Sequence, residues 1–536
     1  MRLALSSLAL GLLVVAAGEA RADDGGRRDD ARDGLLLKAA AELERARDHE
    51  AAIAIWRDLI TRQPDAPASA EARFLLGRAL AATGDFEGSA EAWEAYAVRH
   101  RLAGEPRSAA FALERATSQR LALGQEGQAD ADARLYEKLY GARPELADRA
   151  AALSLAVADL YERHDEPWRL QRQLEVFLAT WGDNKSVLPD RALIAHARLG
   201  ELLWERSCPL ARRSSALVGS RVDDLVVDGG GALCVTVEPA PGRPRDPVMD
   251  RPGSRNVRRL AATRCGGKDA TVLDVRARSP VDKRAAQLHF EAAARAWAKL
   301  DASGGGALLG HGRADDEPGE RWEAARRWAT LALFRRADAD WEQLLATPLP
   351  AKVTFHPAND PYDEPGAVDK FAGRRVPELK EWVSAQRPTV LSLAARYAAI
   401  AGMNVAPWSI AAWSRQAALE ERFAARLRSA PIPSVPGPPP FWSDFDQRQE
   451  VAMRFCGEAF KLVDDWWSAA EQSWARCVAA ALRAGTFDEH AALCEQSLRR
   501  RFAADYRIPS EITPPATHSD WTTEPGPLLR TLDDAR

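Results

Sequence analysis

The chain has 536 residues, 46% of them hydrophobic and 28% charged, which supplies an ordered core and excludes wholesale disorder. Its 73 basic and 77 acidic residues leave a net charge of −4, without the basic excess of a dedicated nucleic-acid binder. Six cysteines in this length are too few for a small disulfide-stapled fold.

Residues 1–22 read as a secretory signal peptide: Arg2 is the basic start, Leu3 to Ala17 form the apolar run, and Ala20-Arg21-Ala22 fits the small-x-small cleavage rule before Asp23. No later stretch offers the roughly 18 uninterrupted apolar residues of a membrane span. With an alanine- and arginine-heavy, bacterial composition, the expected compartment is the periplasm, full export being second. Residues 23–34 are charged and glycine-bearing, and are expected to be a disordered linker.

Helical spacing begins at residue 35. Leu36, Ala39, Ala40 and Leu43 make one face; Ala52, Ile55, Trp56, Leu59 and Ile60 make the next, and Pro64 ends it. The pattern returns 37 residues on, pairing Ala40 with Gly77, Ala52 with Ser89 and Trp56 with Trp93, across the turn Gly84-Asp85-Phe86. Small residues fit where two helices cross closely, and the tryptophan fills the gap beyond. Weaker copies follow: Gly127, Tyr136, Leu139 and Pro144, with Leu123 as a first-helix match; then Leu160, Tyr161, Trp168 and Phe177; then Leu199, Gly200 and Leu203. Residues 35–206 are therefore expected to be stacked helical hairpins.

At 207–280 the periodicity stops. Two β-like runs, 232–237 and 270–275, lie among glycines and prolines, so a small β-rich, cysteine-containing insertion is expected. Its cysteines, Cys208, Cys234 and Cys265, lack the C-x-x-C spacing and histidines of a zinc site. Cys234 with Cys265 would join the two runs, Cys208 is an alternative partner, and buried thiols are the remaining reading.

Residues 281–506 return to helix, with stretches at 281–300, 320–345, 367–385, 388–401 and 407–429 and one long or kinked helix at 443–484; the glycine-rich stretch 301–319 is expected to be a flexible connector. Gly485 ends that helix and Thr486 with Glu489 reads as a capping box. Cys477 and Cys494 lie about 12 Å from this turn on either arm and are a second candidate disulfide. Residues 507–536 are a proline-rich tail.

Residues 35–100 resemble the tetratricopeptide-repeat (TPR) family. A narrower similarity rests on Ser207-Cys208-Pro209, Leu233-Cys234-Val235, Cys265-Gly266, Trp408 to Trp413, Ala430 to Pro433, and the hairpin around Cys477, Gly485 and Cys494. In this order they resemble large periplasmic TPR proteins of the deltaproteobacterial and myxobacterial adventurous gliding-motility type. The resemblance implies a mainly α, TPR-like α-solenoid acting as a non-catalytic envelope scaffold. It implies a groove lined by the first helix of each hairpin, here Leu37, Glu44, Arg45, Glu71, Phe74 and Arg78, that takes protein or peptide segments.

No phosphate loop, H-E-x-x-H or G-x-S-x-G motif occurs, so no catalytic residue, cofactor or metal is expected. His164-Asp165-Glu166 reads as a solvated turn, and His356 with Asp360 as loop. The 17 tryptophans support a second reading, a glycan-binding protein or cell-wall-acting enzyme, if they form exposed platforms.

Overall fold

The computed structural model describes residues 25–100, 106–209, 233–238, 272–275, 277–304, 318–349, 367–428, 430 and 455–501. The chain divides into two compact units, Met1–Ala195 and His196–Arg536. The expected signal peptide and C-terminal tail lie outside the described residues.

The first unit is helical hairpins in sequence. Its helices are α1 (Gly25–Arg45), α2 (His49–Arg62), α3 (Pro67–Ala82), α4 (Phe86–His100), α5 (Pro106–Ala122), α6 (Glu126–Tyr140), α7 (Pro144–Arg163) and α8 (Pro167–Trp181). Each packs on the next in the chain. A ninth helix, α9 (Pro189–Ser207), runs through the division between the units.

One turn recurs inside every hairpin. Arg47, Gly84, Gly124 and Asp165 each have positive φ. The following amide closes on a carbonyl five residues back: Asp48 on Leu43, Asp85 on Leu80, Gln125 on Arg120 and Glu166 on Tyr161, all at 2.9 Å. This bond satisfies carbonyls that a helix end leaves open. The turns follow at intervals of 37, 40 and 41 residues, from Asp48 to Asp85 to Gln125 to Glu166. In that register Ala40, Gly77, Thr117 and Ala158 share one slot and Ala52, Ser89, Ala129 and Leu170 another, and all are buried. Gly77 is obligatory for packing: a Cβ there would lie 2.3 Å from the Trp93 ring, whose Nε1 donates to the Phe74 carbonyl at 3.1 Å.

The linker expected over 23–34 is corrected: from Gly25 these residues belong to α1. Asp33, on this helix, is buried. Charge and glycine alone misread the segment as coil.

In the second unit the insertion is not β-rich among the described residues. It contributes one antiparallel ribbon, β1 (Val235–Glu238) and β2 (Val272–Val275), with Val235 opposite Val275 and Glu238 opposite Val272. An isolated two-stranded ribbon is marginal in water, so its ends need fixing. Cys208, just past α9, is bonded to Cys234 (S–S 2.10 Å, Cα–Cα 5.6 Å). The expected Cys234–Cys265 bond is thereby overturned: the end of α9 brings Cys208 to Cys234, and Cys265 lies outside the described residues. The buried Arg278 guanidinium donates to Glu342 at 2.7 Å, to the Trp204 carbonyl at 2.7 Å and to Ser207 Oγ at 2.9 Å, and sits 3.6 Å from the Trp204 ring centroid. Glu342 also accepts the Cys234 amide at 2.8 Å.

Further helices are α10 (Pro280–Ala302), α11 (Pro318–Ala346), α12 (Ala367–Gly402), α13 (Ala406–Arg428), α14 (Asp464–Ala484) and α15 (Glu489–Arg501), and residues 455–461 are also helical. The connector expected at 301–319 is helical at both ends, as the last turn of α10 and the start of α11; residues 305–317 lie outside the described residues. The break expected near Pro388 is absent, and one helix carries both Pro377 and Pro388. A proline removes one helical bond. Here Leu379, Val383, Val390, Leu393, Tyr397 and Ile400 are buried along the same helix and hold it. Gly485 ends α14 with φ 63°. The next cap is Asp488, whose Oδ1 accepts the Ala491 amide at 2.8 Å; Thr486 instead bonds back to Ala484. Cys477 and Cys494 bridge this hairpin, as expected, with Cα atoms 6.2 Å apart. Cys456 is also disulfide-bonded. Among the described residues no helix is long and apolar enough to cross a membrane.

Candidate functional site

The first unit holds a cleft of about 630 Å3. Two successive first helices, α3 and α5, face it, with α4 between them. α3 supplies Phe74, Arg78 and Ala81; α4 supplies Phe86 and Trp93; α5 supplies Phe111, Arg115, Ser118, Gln119 and Ala122; Leu123 follows. The floor is aromatic. Phe74 meets Tyr96 edge-on at 5.3 Å and Phe111 at 6.0 Å, and the Arg115 guanidinium lies 5.1 Å from the Phe111 centroid. Phe86 and Leu123 remain 47% and 42% exposed at the rim. Such surface can bury an apolar side chain of a partner, while the guanidiniums supply fixed donors.

Of the residues implied for the groove, Phe74 and Arg78 line this cleft. Glu44 is tied to it through Arg78, whose Nε and Nη2 donate to the carboxylate at 2.8 and 2.6 Å. That bond raises the Arg78 pKa above its usual value, keeping the guanidinium charged. Leu37 packs against the first hairpins' core, Arg45 pairs with Glu42 on its own helix, and Glu71 is exposed; none of the three lines the cleft.

Sequence reasoning missed Phe86, Trp93, Phe111, Arg115 and Leu123 as lining residues. The signal for part of this set was the interval. Moving the implied slots Glu71 and Arg78 forward by the 40-residue step reaches Phe111 and Ser118, both on the wall. Reading Leu123 as a first-helix position put that third copy out of register.

Against the cleft lies a charged cluster in which Arg120 and Asp132 are buried and Glu94 is half-buried. Arg120 on α5 donates to Glu94 on α4 at 2.7 and 3.1 Å and to Gln125 at 2.6 Å; Gln125 in turn donates to Glu87 at 3.1 Å. Asp132 on α6 is buried beside them. Burial first, then the charge of Glu94 and a hydrogen bond with it, push the Asp132 carboxyl up to about 7, against the opposing pull of Arg120.

Elsewhere, buried carboxylates accept hydrogen bonds from side chains of neighbouring helices. Asp338 accepts from the Tyr397 hydroxyl at 2.7 Å, and burial raises that phenol well above its usual range. Glu420 accepts from Ser473 at 2.7 Å and Glu421 from Trp474 at 3.0 Å. Among the described residues no three histidine, cysteine or carboxylate side chains gather as a metal site. Asp165 occupies a left-handed turn and His164 contacts Glu126; His356 and Asp360 lie outside the described residues. Trp56, Trp204, Trp341 and Trp474 are wholly buried, whereas Trp168 is 68% exposed.

No family model matches this sequence, and no curated protein is significantly similar to it.

Proposed function

We propose that the chain is an exported, TPR-type α-solenoid scaffold that binds a segment of another envelope protein in the cleft between α3 and α5 and performs no bond-making or bond-breaking. The observation that carries this reading is the cleft itself: three phenylalanines and a tryptophan on consecutive helices, with Phe86 exposed at its rim and two arginines beside them. Repeated hairpins of constant turn geometry present such a surface without a catalytic constellation. The disulfides at Cys208–Cys234 and Cys477–Cys494 support an oxidising compartment, and the periplasm is the compartment we assign. Envelope assembly, gliding motility included, is the process this reading favours.

The test is a photo-crosslinking amino acid at position 123 in cells. A discrete adduct, lost when Phe86→Asp and Phe111→Ala are added and absent when the probe sits at exposed Val176, is the expected result. An adduct pattern indifferent to the cleft changes removes the assignment. The glycan-binding or cell-wall-acting alternative draws on Trp168 alone among the buried or exposed tryptophans named above. Saturable quenching by soluble peptidoglycan fragments that Trp168→Ala abolishes would favour it.

A further inference from the structure

The charged cluster has a geometry that ties it to the cleft. Glu94 follows Trp93, a wall residue, on α4; Arg120 follows Gln119, another wall residue, on α5. The salt bridge between Glu94 and Arg120 therefore ties the α5 wall of the cleft to α4, the helix between its two walls, and Asp132 of α6 abuts it. We propose that Asp132, Glu94 and Arg120 form a proton-operated latch that sets how firmly the α5 wall of the cleft is held to α4. This rests on the reading of the cleft as a binding site and assigns that site its regulation.

With one proton on the two carboxyls, Asp132 donates to Glu94, Glu94 keeps both bonds to Arg120, and the cluster is neutral. Without that proton, two carboxylates compete for one guanidinium. Asp132 is 8% exposed and its Oδ2 finds no hydrogen-bond partner among the described residues, so on its side of the pair, unlike that of the half-buried Glu94, little water reaches the excess charge. The charged groups facing Asp132 are Glu94 from α4 and Arg120 from α5. Around Arg120 stand also Glu91 and Glu87 of α4, Glu87 at 4.0 Å, and both are acidic. On α6 itself Asp130 is held by Arg134, and on α7 Arg149 is held by Glu114 of α5. No further cation is therefore directed at Asp132 by these neighbours. Relief comes from moving Asp132 and Glu94 apart, which loosens the hold of Glu94 on Arg120 and shifts Trp93 and Gln119 beside them.

The sign follows from the direction of the shift. Asp132 titrates at about 7 in the folded chain against an ordinary value of 3.8, so its stabilisation is complete below the unfolded value and lost as pH rises through about 7. The latch is closed in acid and open in mild alkali.

The experiment uses the full chain with 8-anilinonaphthalene-1-sulfonate as the cleft probe, between pH 5.5 and 8.5, beside thermal unfolding. The cleft-dependent signal is the part removed by Phe86→Asp. Its affinity should fall roughly fivefold across a midpoint near pH 7 in the wild type, a coupling of ordinary size. Asp132→Asn, which keeps the neutral shape, should bind without that pH dependence; Glu94→Gln is the second variant should the first fold poorly. A wild-type affinity flat with pH, or an Asp132→Asn titration like the wild type, overturns the latch. Should Phe86→Asp leave dye binding unchanged, the cleft reading fails instead, and the melting difference between wild type and Asp132→Asn still reports whether Asp132 titrates near 7.

Discussion

Replacing Gly77 by alanine would press a methyl group against the Trp93 ring, with a first contact at 2.3 Å. The ring must shift, at a cost of about 1–3 kcal/mol, and the cleft wall shifts with it. Gly127, also helical, has nothing within 4 Å of such a methyl, so Gly127→Ala should instead stabilise by about 0.5–1 kcal/mol. Urea midpoints of the two variants check the contrast. Glu342 makes a second residue-scale prediction. Its side chain is 4% exposed and that of Arg278 1%. Glu342→Gln removes one charge of a buried pair, and a loss of about 3–5 kcal/mol is expected in denaturant unfolding. At this scale the small residues of the crossing slots were legible, because Ala40, Gly77, Ala52 and Ser89 repeat at one interval. The Arg278–Glu342 pair was not: its partners stand 64 residues apart, with α10 between them, and no periodicity links them.

Helix ends were legible where one residue type carries the geometry. Gly485 adopts φ 63°, and Gly485→Ala should cost about 1–2 kcal/mol, the strain of a side chain in the left-handed region, read as a lower melting midpoint. The following cap was misassigned because Thr486 and Asp488 both suit the role; only the start of α15 at Glu489 decides for Asp488. α12 taught the reverse lesson. Local rules broke it at Pro388, but burial of residues on both sides outweighs the lost hydrogen bond. The cleft itself was half legible: its α3 residues came from the implied slots, while its α5 residues needed the interval that the structure supplies.

At the scale of the molecule the cysteines are unevenly placed. All six follow residue 207, so the unit Met1–Ala195 has none. A reductant should lower the melting midpoint of the second unit and leave that of the first unchanged in calorimetry, since each cross-link restrains only the unfolded chain that contains it. The hairpins of the first unit share another asymmetry. Second helices α2, α4, α6 and α8 have 14, 15, 15 and 15 residues, whereas first helices α3, α5 and α7 have 16, 17 and 20. Growth of the chain is thus admitted at the joints and at the proline-led starts of first helices, never in the left-handed corners. Evolution, or an engineer splicing in a tag, has one permissive seam per hairpin and one forbidden one.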